Sequence, residues 1–183
     1  IQGRKAGHAH YLTRREGQTI ISETTMVLQV GRGGQVIKVT QRQTSRETLA
    51  GEPVSLVSEM DLSLIRIRIS ARFEGRKVHL TGQQLGQRID RTYLLDRVPK
   101  LSWGLYLEQL NYGLKPGTTY TSYTYDPTTR ADATLPVTTR ICPPELVDLF
   151  GRKVRAVKAV QTMKIPTAIG EISAEITSWL DSR

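Results

Sequence analysis

Residues 65–81, IRIRISARFEGRKVHLT, contain the pattern that decides the fold. Isoleucines alternate with arginines over residues 65–69, and apolar and polar residues alternate again over residues 77–81, after Gly75. Period-two alternation places one face of a strand in a core and the other in water, as in antiparallel sheets. A glycine-containing turn joins such strands into a hairpin. The stretch therefore predicts a β-hairpin.

The same alternation recurs on both sides of this hairpin. It covers residues 25–30 and 37–40 in the first half of the chain and residues 172–177 near its end. Turn-forming residues separate the runs at 15–18, 31–34 and 50–53. Short strands joined by such turns predict a curved antiparallel sheet of about ten strands.

One segment follows a helical period instead. Between residues 99 and 114, leucines recur in part at three- and four-residue spacings, with Ser102 as an N-cap residue and Gly113 as a C-terminal stop. The spacing predicts one helix over about residues 102–112, packed against the concave face of the sheet. A shorter helical turn is predicted at residues 144–150. The predicted fold class is mainly β (α+β).

The bulk composition is that of a soluble globular domain. The chain has 183 residues, of which 38% are hydrophobic and 23% charged, so we expect residues 1–183 to form one domain. No stretch approaches the roughly 20 apolar residues of a membrane span. The net charge of +9 is concentrated in residues 1–100, which hold 17 Lys/Arg against 9 Asp/Glu. Because the arginines are scattered singly along predicted strands, they indicate a solvated sheet face, and a nucleic-acid partner is disfavoured.

Residues that could support catalysis or metal binding are few. Cys142 is the single cysteine, and its neighbours offer neither a base nor a metal partner. His8 and His10 share one face of a strand, so a metal site completed by His79 or Asp61 stays an alternative to exposed strand histidines, which are favoured. The sequence predicts no catalytic, cofactor-binding or metal-ligating residue.

Several segments together carry a family resemblance. They are Gly7–Tyr11, Gly51–Ser55, residues 113–117 leading into Tyr120–Pro127, and Gly151–Val154 followed by Thr177–Asp181. Their order and spacing resemble the domain that precedes the transglutaminase-like core in many bacterial envelope proteins. Related domains look like the open half-barrel of bacterial lipoprotein carriers such as LolA and LolB. The resemblance implies an open half-barrel that cups the helix at 102–112.

The resemblance also implies a function and a location. We expect a non-catalytic accessory domain of an extracytoplasmic (periplasmic or envelope) protein, and an N-terminal region of a longer chain, since the chain stops at Arg183 just after the Trp-Leu-Asp element. Such a domain would position a C-terminal transglutaminase-like or papain-like core, or recognise its substrate. The Cys, His and Asp of that core have no counterpart here.

A second hypothesis is a carrier or sensor that binds a lipid or acyl chain between sheet and helix. The expected cavity lining is apolar and aromatic: Met26, Leu28, Ile37, Ile67, Leu105 and Tyr106. A filled core is the favoured alternative to a cavity, because side chains normally fill interior space at crystal-like density.

Overall fold

Period-two alternation produces eleven strands and one helix among the residues that the structure describes. The structure is a computed structural model, and it describes residues 7–32, 35–62, 65–84, 86–149, 151–167 and 170–180. The helix, α1, is Ser102–Tyr112. The strands are β1 Gly7–Glu16, β2 Thr19–Arg32, β3 Gln35–Thr48, β4 Pro53–Asp61, β5 Arg66–Glu74, β6 Lys77–Gln84, β7 Gln87–Leu94, β8 Thr119–Thr124, β9 Leu135–Leu149, β10 Arg152–Thr167 and β11 Gly170–Leu180.

The strands form two antiparallel sheets. β1 to β7 make a seven-stranded meander in chain order, and β8 to β11 make a four-stranded one, in the order β11-β10-β9-β8. The predicted strand count of about ten and the mainly β class fit this architecture. The barrel-like arrangement is not closed, and the strands divide between two sheets rather than one.

The hairpin predicted from residues 65–81 is formed by β5 and β6. Phe73 pairs with Val78 around a turn in which Gly75 has a φ of 60°. The apolar positions Ile69, Phe73 and Val78 are buried in the main core cluster. The arginines lie on the opposite face, where Arg68 forms an ion pair with Glu59 at 2.9 Å. The basic residues of this strand therefore face solvent, as predicted.

The helix has the predicted bounds, and it contacts β2, β3 and β8. Its one buried residue is Gly104, while Tyr106, Leu110 and Tyr112 are about half exposed. Tyr112 stacks on Tyr120 of β8, with ring centroids 4.2 Å apart. The helix therefore covers one side of the molecule as a partly exposed element.

Of the two predictions about the ends of the helix, the C-terminal one is confirmed and the N-terminal one is wrong. Gly113 ends the helix as expected, with a φ of 72°, but Ser102 is already helical and Leu101 occupies the N-cap position without a side-chain cap. The acceptor for the first helical N–H groups comes instead from Glu47 of β3. The side chain that caps this helix is thus remote in sequence.

The short helical turn predicted at residues 144–150 is wrong. β9 continues to Leu149 and pairs with β10, for example at Val147 and Val154. The register shifts between Val157 and Ala159, opposite the Cys142–Pro144 segment. A bulge accommodates prolines in a strand because residues there need not donate to the ladder.

Candidate functional site

The two sheets face each other across a cavity of about 400 Å³. Both sheets, the start of the helix and the loop after β8 contribute to its walls. The apolar lining residues are Leu56, Leu101, Leu105, Leu135, Met26, Met163 and Ile176. Pockets that bind small molecules span about 300–1,000 Å³, so the space is in the range of a ligand site.

One wall of this cavity is polar. It is formed by inward-facing positions that are paired across β2 and β3: Ser22 with Ser45 and Thr24 with Gln43, and then Gln41 beside the apolar Met26. Ser22 and Ser45 are buried, with 5% and 2% of their surface exposed. The amide of Gln43 donates to the Ser58 hydroxyl at 3.5 Å. The wall thus presents uncharged groups that both donate and accept hydrogen bonds.

The cavity is open to solvent, and its exposed lining includes an edge strand of each sheet. Tyr11 of β1 and Ile176 of β11 line it, and they are 72% and 53% exposed. In the described part of the chain, β1 pairs with β2 alone and β11 with β10 alone. These two edge strands therefore border the exposed part of the cavity.

The other side of the molecule is held together by direct contacts. The backbone N–H of Lys100 donates to the carbonyl oxygen of Tyr123 at 2.7 Å. Arg97 lies over the ring of Tyr123, 3.5 Å from its centroid. Asp96 accepts from the backbone N–H of Thr134 at 3.0 Å and from its hydroxyl at 2.9 Å. These contacts join the segment after β7 to the second sheet.

Asp96 is strongly acidic in this arrangement. Burial acts to raise its pKa, but the hydrogen bonds from Thr134 and from the side chain of Arg97 lower the pKa of Asp96 to about 2. Its side chain is still 45% exposed, so solvent screens part of this stabilisation. The ionised carboxylate of Asp96 therefore links the segment after β7 to Thr134, on the side of the molecule away from the exposed part of the cavity.

Glu47 fixes the helix that forms the end wall of the cavity. Its carboxylate is fully buried and accepts from the backbone N–H of Trp103 at 2.7 Å and of Gly104 at 2.8 Å. Ser45 also donates to it, at 3.3 Å. Burial raises the pKa of Glu47, although the hydrogen bonds from Gly104, Trp103 and Ser45 act in the opposite direction.

Two glycines let the helix approach the β3–β4 turn closely. A Cβ atom on Gly104 would lie 2.7 Å from the carbonyl oxygen of Gly51. Gly51 itself has a φ of 79°, a conformation that side chains disfavour. The indole N–H of Trp103 donates to the carbonyl oxygen of Leu49 at 3.0 Å. The helix start is thus anchored to the end of β3 and the turn after it.

The residues predicted to line a cavity are distributed over several places. Met26 and Leu105 line the inter-sheet cavity. Leu28 is half-buried on β2, and the side chain of Ile37 lies outside the described residues. Ile67 packs against the main core cluster and borders a separate surface depression. Tyr106 is half exposed and contacts Trp103 at a centroid distance of 5.3 Å.

The histidines and the cysteine are dispersed as well. His8 and His10 are exposed on β1, whereas His79 lies on β6 within hydrogen-bond distance of Thr92. Cys142 is half-buried in β9. In the described ranges, no three His, Cys, Asp or Glu residues are grouped in a way that could hold a metal ion. The glycine-rich turn predicted at residues 31–34 lies partly outside these ranges, although Arg32 pairs with Gln35 across it.

Sequence reasoning missed the polar wall and Glu47. The apolar–polar alternation of β3 stops after Val39, because residues 40–48 are all polar, but a period of two still carries the face of Val39 to residues 41, 43, 45 and 47. These positions fall on the same face as Val39, so the inward face becomes polar along the strand. No signal in the sequence pairs Glu47 with the helix start.

No protein-family model matches the chain, and no curated protein matches it. Among solved structures, the chain is similar to the crystal structure of a β-barrel-like protein of domain of unknown function DUF1849 from Brucella abortus. The TM-score is 0.56 at 12% sequence identity, and the match covers 94% of this chain and 82% of that chain. At this identity the likeness shows a barrel-like β fold. It does not single out a transglutaminase-associated domain or a LolA-like carrier. No helix in the described residues is long and apolar enough to cross a membrane.

Proposed function

We propose that this chain is a non-catalytic binding module that takes a lipid, an acyl chain or a comparable amphiphile into the inter-sheet cavity, as a carrier or sensor. The observation that carries the proposal is the cavity of about 400 Å³ between the sheets. Other depressions of the surface are as large, at about 430 and 470 Å³, but this one is lined by both sheets and by the helix. A concave, largely apolar space with a few polar groups is what ligand pockets share, which favours a ligand over a filled core.

The way in which the cavity is framed also supports binding. On one side of the cavity, Asp96 and Lys100 bond the segment after β7 to the second sheet. Glu47 holds the helix that lines the cavity. Two edge strands border the exposed part of the cavity, where Tyr11 and Ile176 are exposed. A ligand could therefore enter beside β1 and β11 without disturbing the buried contacts that hold the sheets.

Native mass spectrometry of the purified protein, before and after addition of a long-chain lipid, tests this proposal. We expect an adduct of lipid mass with the wild type. Leu105→Trp, which fills the cavity from the helix, should reduce the adduct at least tenfold. Leu110→Trp is the matched control, because Leu110 lies on the same helix and is 58% exposed. Circular dichroism verifies that both variants fold.

Two results would contradict the proposal. One is a wild-type protein that carries no adduct and takes up none of the added lipids. The other is a folded Leu105→Trp variant that binds lipid as well as Leu110→Trp does. In the second case the lipid would lie elsewhere than in the inter-sheet cavity.

The ordered sequence motifs support a second proposal, an accessory role beside a transglutaminase-like core outside the cytoplasm. Several motif residues have clear tasks in the fold: Gly51 contacts the helix, Gly113 ends it, and the indole of Trp179 donates to Glu145 at 2.7 Å. The two proposals are compatible, since a ligand-binding domain can control a neighbouring core. Sequencing the gene past the codon for Arg183 tests the second one, and a continuation without a Cys-His-Asp core would contradict it.

A further inference from the structure

The walls of the inter-sheet cavity differ in chemistry from one side to the other. Hydroxyl and amide groups of Ser22, Thr24, Gln43 and Ser45 line the side formed by β2 and β3. Leu105, Met163 and other apolar residues line the side formed by the helix and the second sheet. The hydroxyls of the buried Ser22 and Ser45 are hydrogen-bonded to Thr13 and Glu47, so a ligand would meet mainly the side chains of Thr24 and Gln43.

Among the described residues that line the cavity, the one charged side chain is already hydrogen-bonded within the protein. No lysine, arginine or histidine is among the described residues that line it, and Asp126 is the one carboxylate there. One oxygen of Asp126 accepts from the backbone N–H and hydroxyl of Thr128, and the other from the hydroxyl of Thr129 at 3.1 Å. An anionic group drawn inside would therefore lose its hydration without gaining a counter-charge, which is costly.

Given the proposed function, on which this step rests, we infer that the cavity selects an uncharged amphiphile. Its hydrocarbon part packs against Leu105 and Met163, and its hydroxyl or amide groups bond with the polar wall at Thr24 and Gln43. Monoacylglycerols and fatty amides have this chemistry. Fatty acids and phospholipids carry an ionised head for which the cavity offers no cation.

A competition between two matched ligands tests the inference. A monoacylglycerol and the free fatty acid of equal acyl length are compared with the full chain, below their aggregation concentrations and at a pH well above the carboxyl pKa. We expect the neutral ligand to bind at least tenfold more tightly. Thr24→Val with Gln43→Leu should weaken binding of the monoacylglycerol at least tenfold, because its head group loses its hydrogen-bond partners. Thr25→Val with Thr44→Val, at outward-facing neighbours on the same strands, should preserve this binding.

The possible outcomes separate the inference from the proposed function. Equal or tighter binding of the fatty acid by the wild type would overturn the inference and leave the binding module intact. Undiminished binding of the monoacylglycerol by the folded Thr24→Val, Gln43→Leu variant would also overturn it, because the polar wall would then not bind the head group. If neither ligand nor any other lipid binds, the proposed function itself fails.

Discussion

Replacing Glu47 with alanine removes the acceptor that holds the N-terminus of α1. The N–H groups of Trp103 and Gly104, which donate to the carboxylate at 2.7 and 2.8 Å, would be left unpaired in a buried site. Each unpaired buried donor costs about 1–3 kcal/mol. Relief of the buried charge offsets part of this loss, so we expect the free energy of unfolding to fall by about 2–4 kcal/mol.

Denaturant unfolding followed by circular dichroism measures this loss. Glu74→Ala is the control, because the carboxylate of Glu74 is exposed and lies 3.7 Å from the ammonium of Lys77. Such a surface pair contributes about 0–1 kcal/mol. If Glu47→Ala is no more destabilising than Glu74→Ala, Glu47 does not anchor the helix and the argument is refuted.

The pH dependence provides a second measurement on the same residue. The pKa of Glu47 is raised, so the folded protein holds this proton more tightly than the unfolded chain, whose carboxyl titrates near 4.5. Stability therefore falls as pH rises from that value through the folded pKa. Glu47→Gln removes this titration. As pH rises through that window, we expect the free energy of unfolding of the wild type to fall relative to that of Glu47→Gln. If the difference between the two proteins stays constant with pH, the pKa of Glu47 is not raised.

Three further predictions concern the frame of the cavity. Gly104→Ala should lower the free energy of unfolding by about 1–3 kcal/mol through overpacking, because the new Cβ would lie 2.7 Å from the carbonyl oxygen of Gly51. Asn111→Ala, on the same helix, is the control and should be neutral or stabilising. Asp96→Asn should lower the free energy of unfolding by about 1 kcal/mol at neutral pH, after discounting for the exposure of Asp96. This difference from wild type should vanish as pH falls through about 2, because the hydrogen bonds from Thr134 favour the ionised form of Asp96. A difference in stability that does not depend on pH would contradict the role assigned to Asp96. Tyr125→Phe should lower the free energy of unfolding by about 1 kcal/mol, because the Tyr125 hydroxyl donates to the carbonyl oxygen of Ala131 at 2.7 Å. Thermal denaturation measures this loss, and an unchanged midpoint would show that the hydrogen bond does not stabilise the fold.

The strands were predictable because most have one buried and one wet face. In β5 and β6 the apolar positions enter the core and the basic ones face solvent, as the alternation of residues 65–81 indicates. Alternation indicates which face of a strand a residue occupies, but not which strand lies beside it in the sheet. The division into two sheets depends on the pairing of β8 with β9 rather than with β7, which the pattern does not encode.

The cavity was only partly predictable for a related reason. Met26 and Leu105 were identified because they are apolar and follow the periods of their elements. Thr24 and Gln43 face the same space but resemble residues of a solvated face. The role of Glu47 could not be predicted, because a buried carboxylate is recognised by the groups that bond to it. Those groups belong to the start of a helix 56 residues further along the chain.

The meander topology has a consequence for how the chain folds. Within the described residues, each strand pairs only with the strand before or after it in sequence, in both sheets. Neighbouring hairpins close short loops at a small cost in chain entropy, so each sheet can grow from any of its turns. Contacts between distant segments, such as Glu47 with the helix and Asp96 with Thr134, require larger closures. We expect the two sheets to form early and independently, and the cavity between them to be assembled in the last kinetic phase.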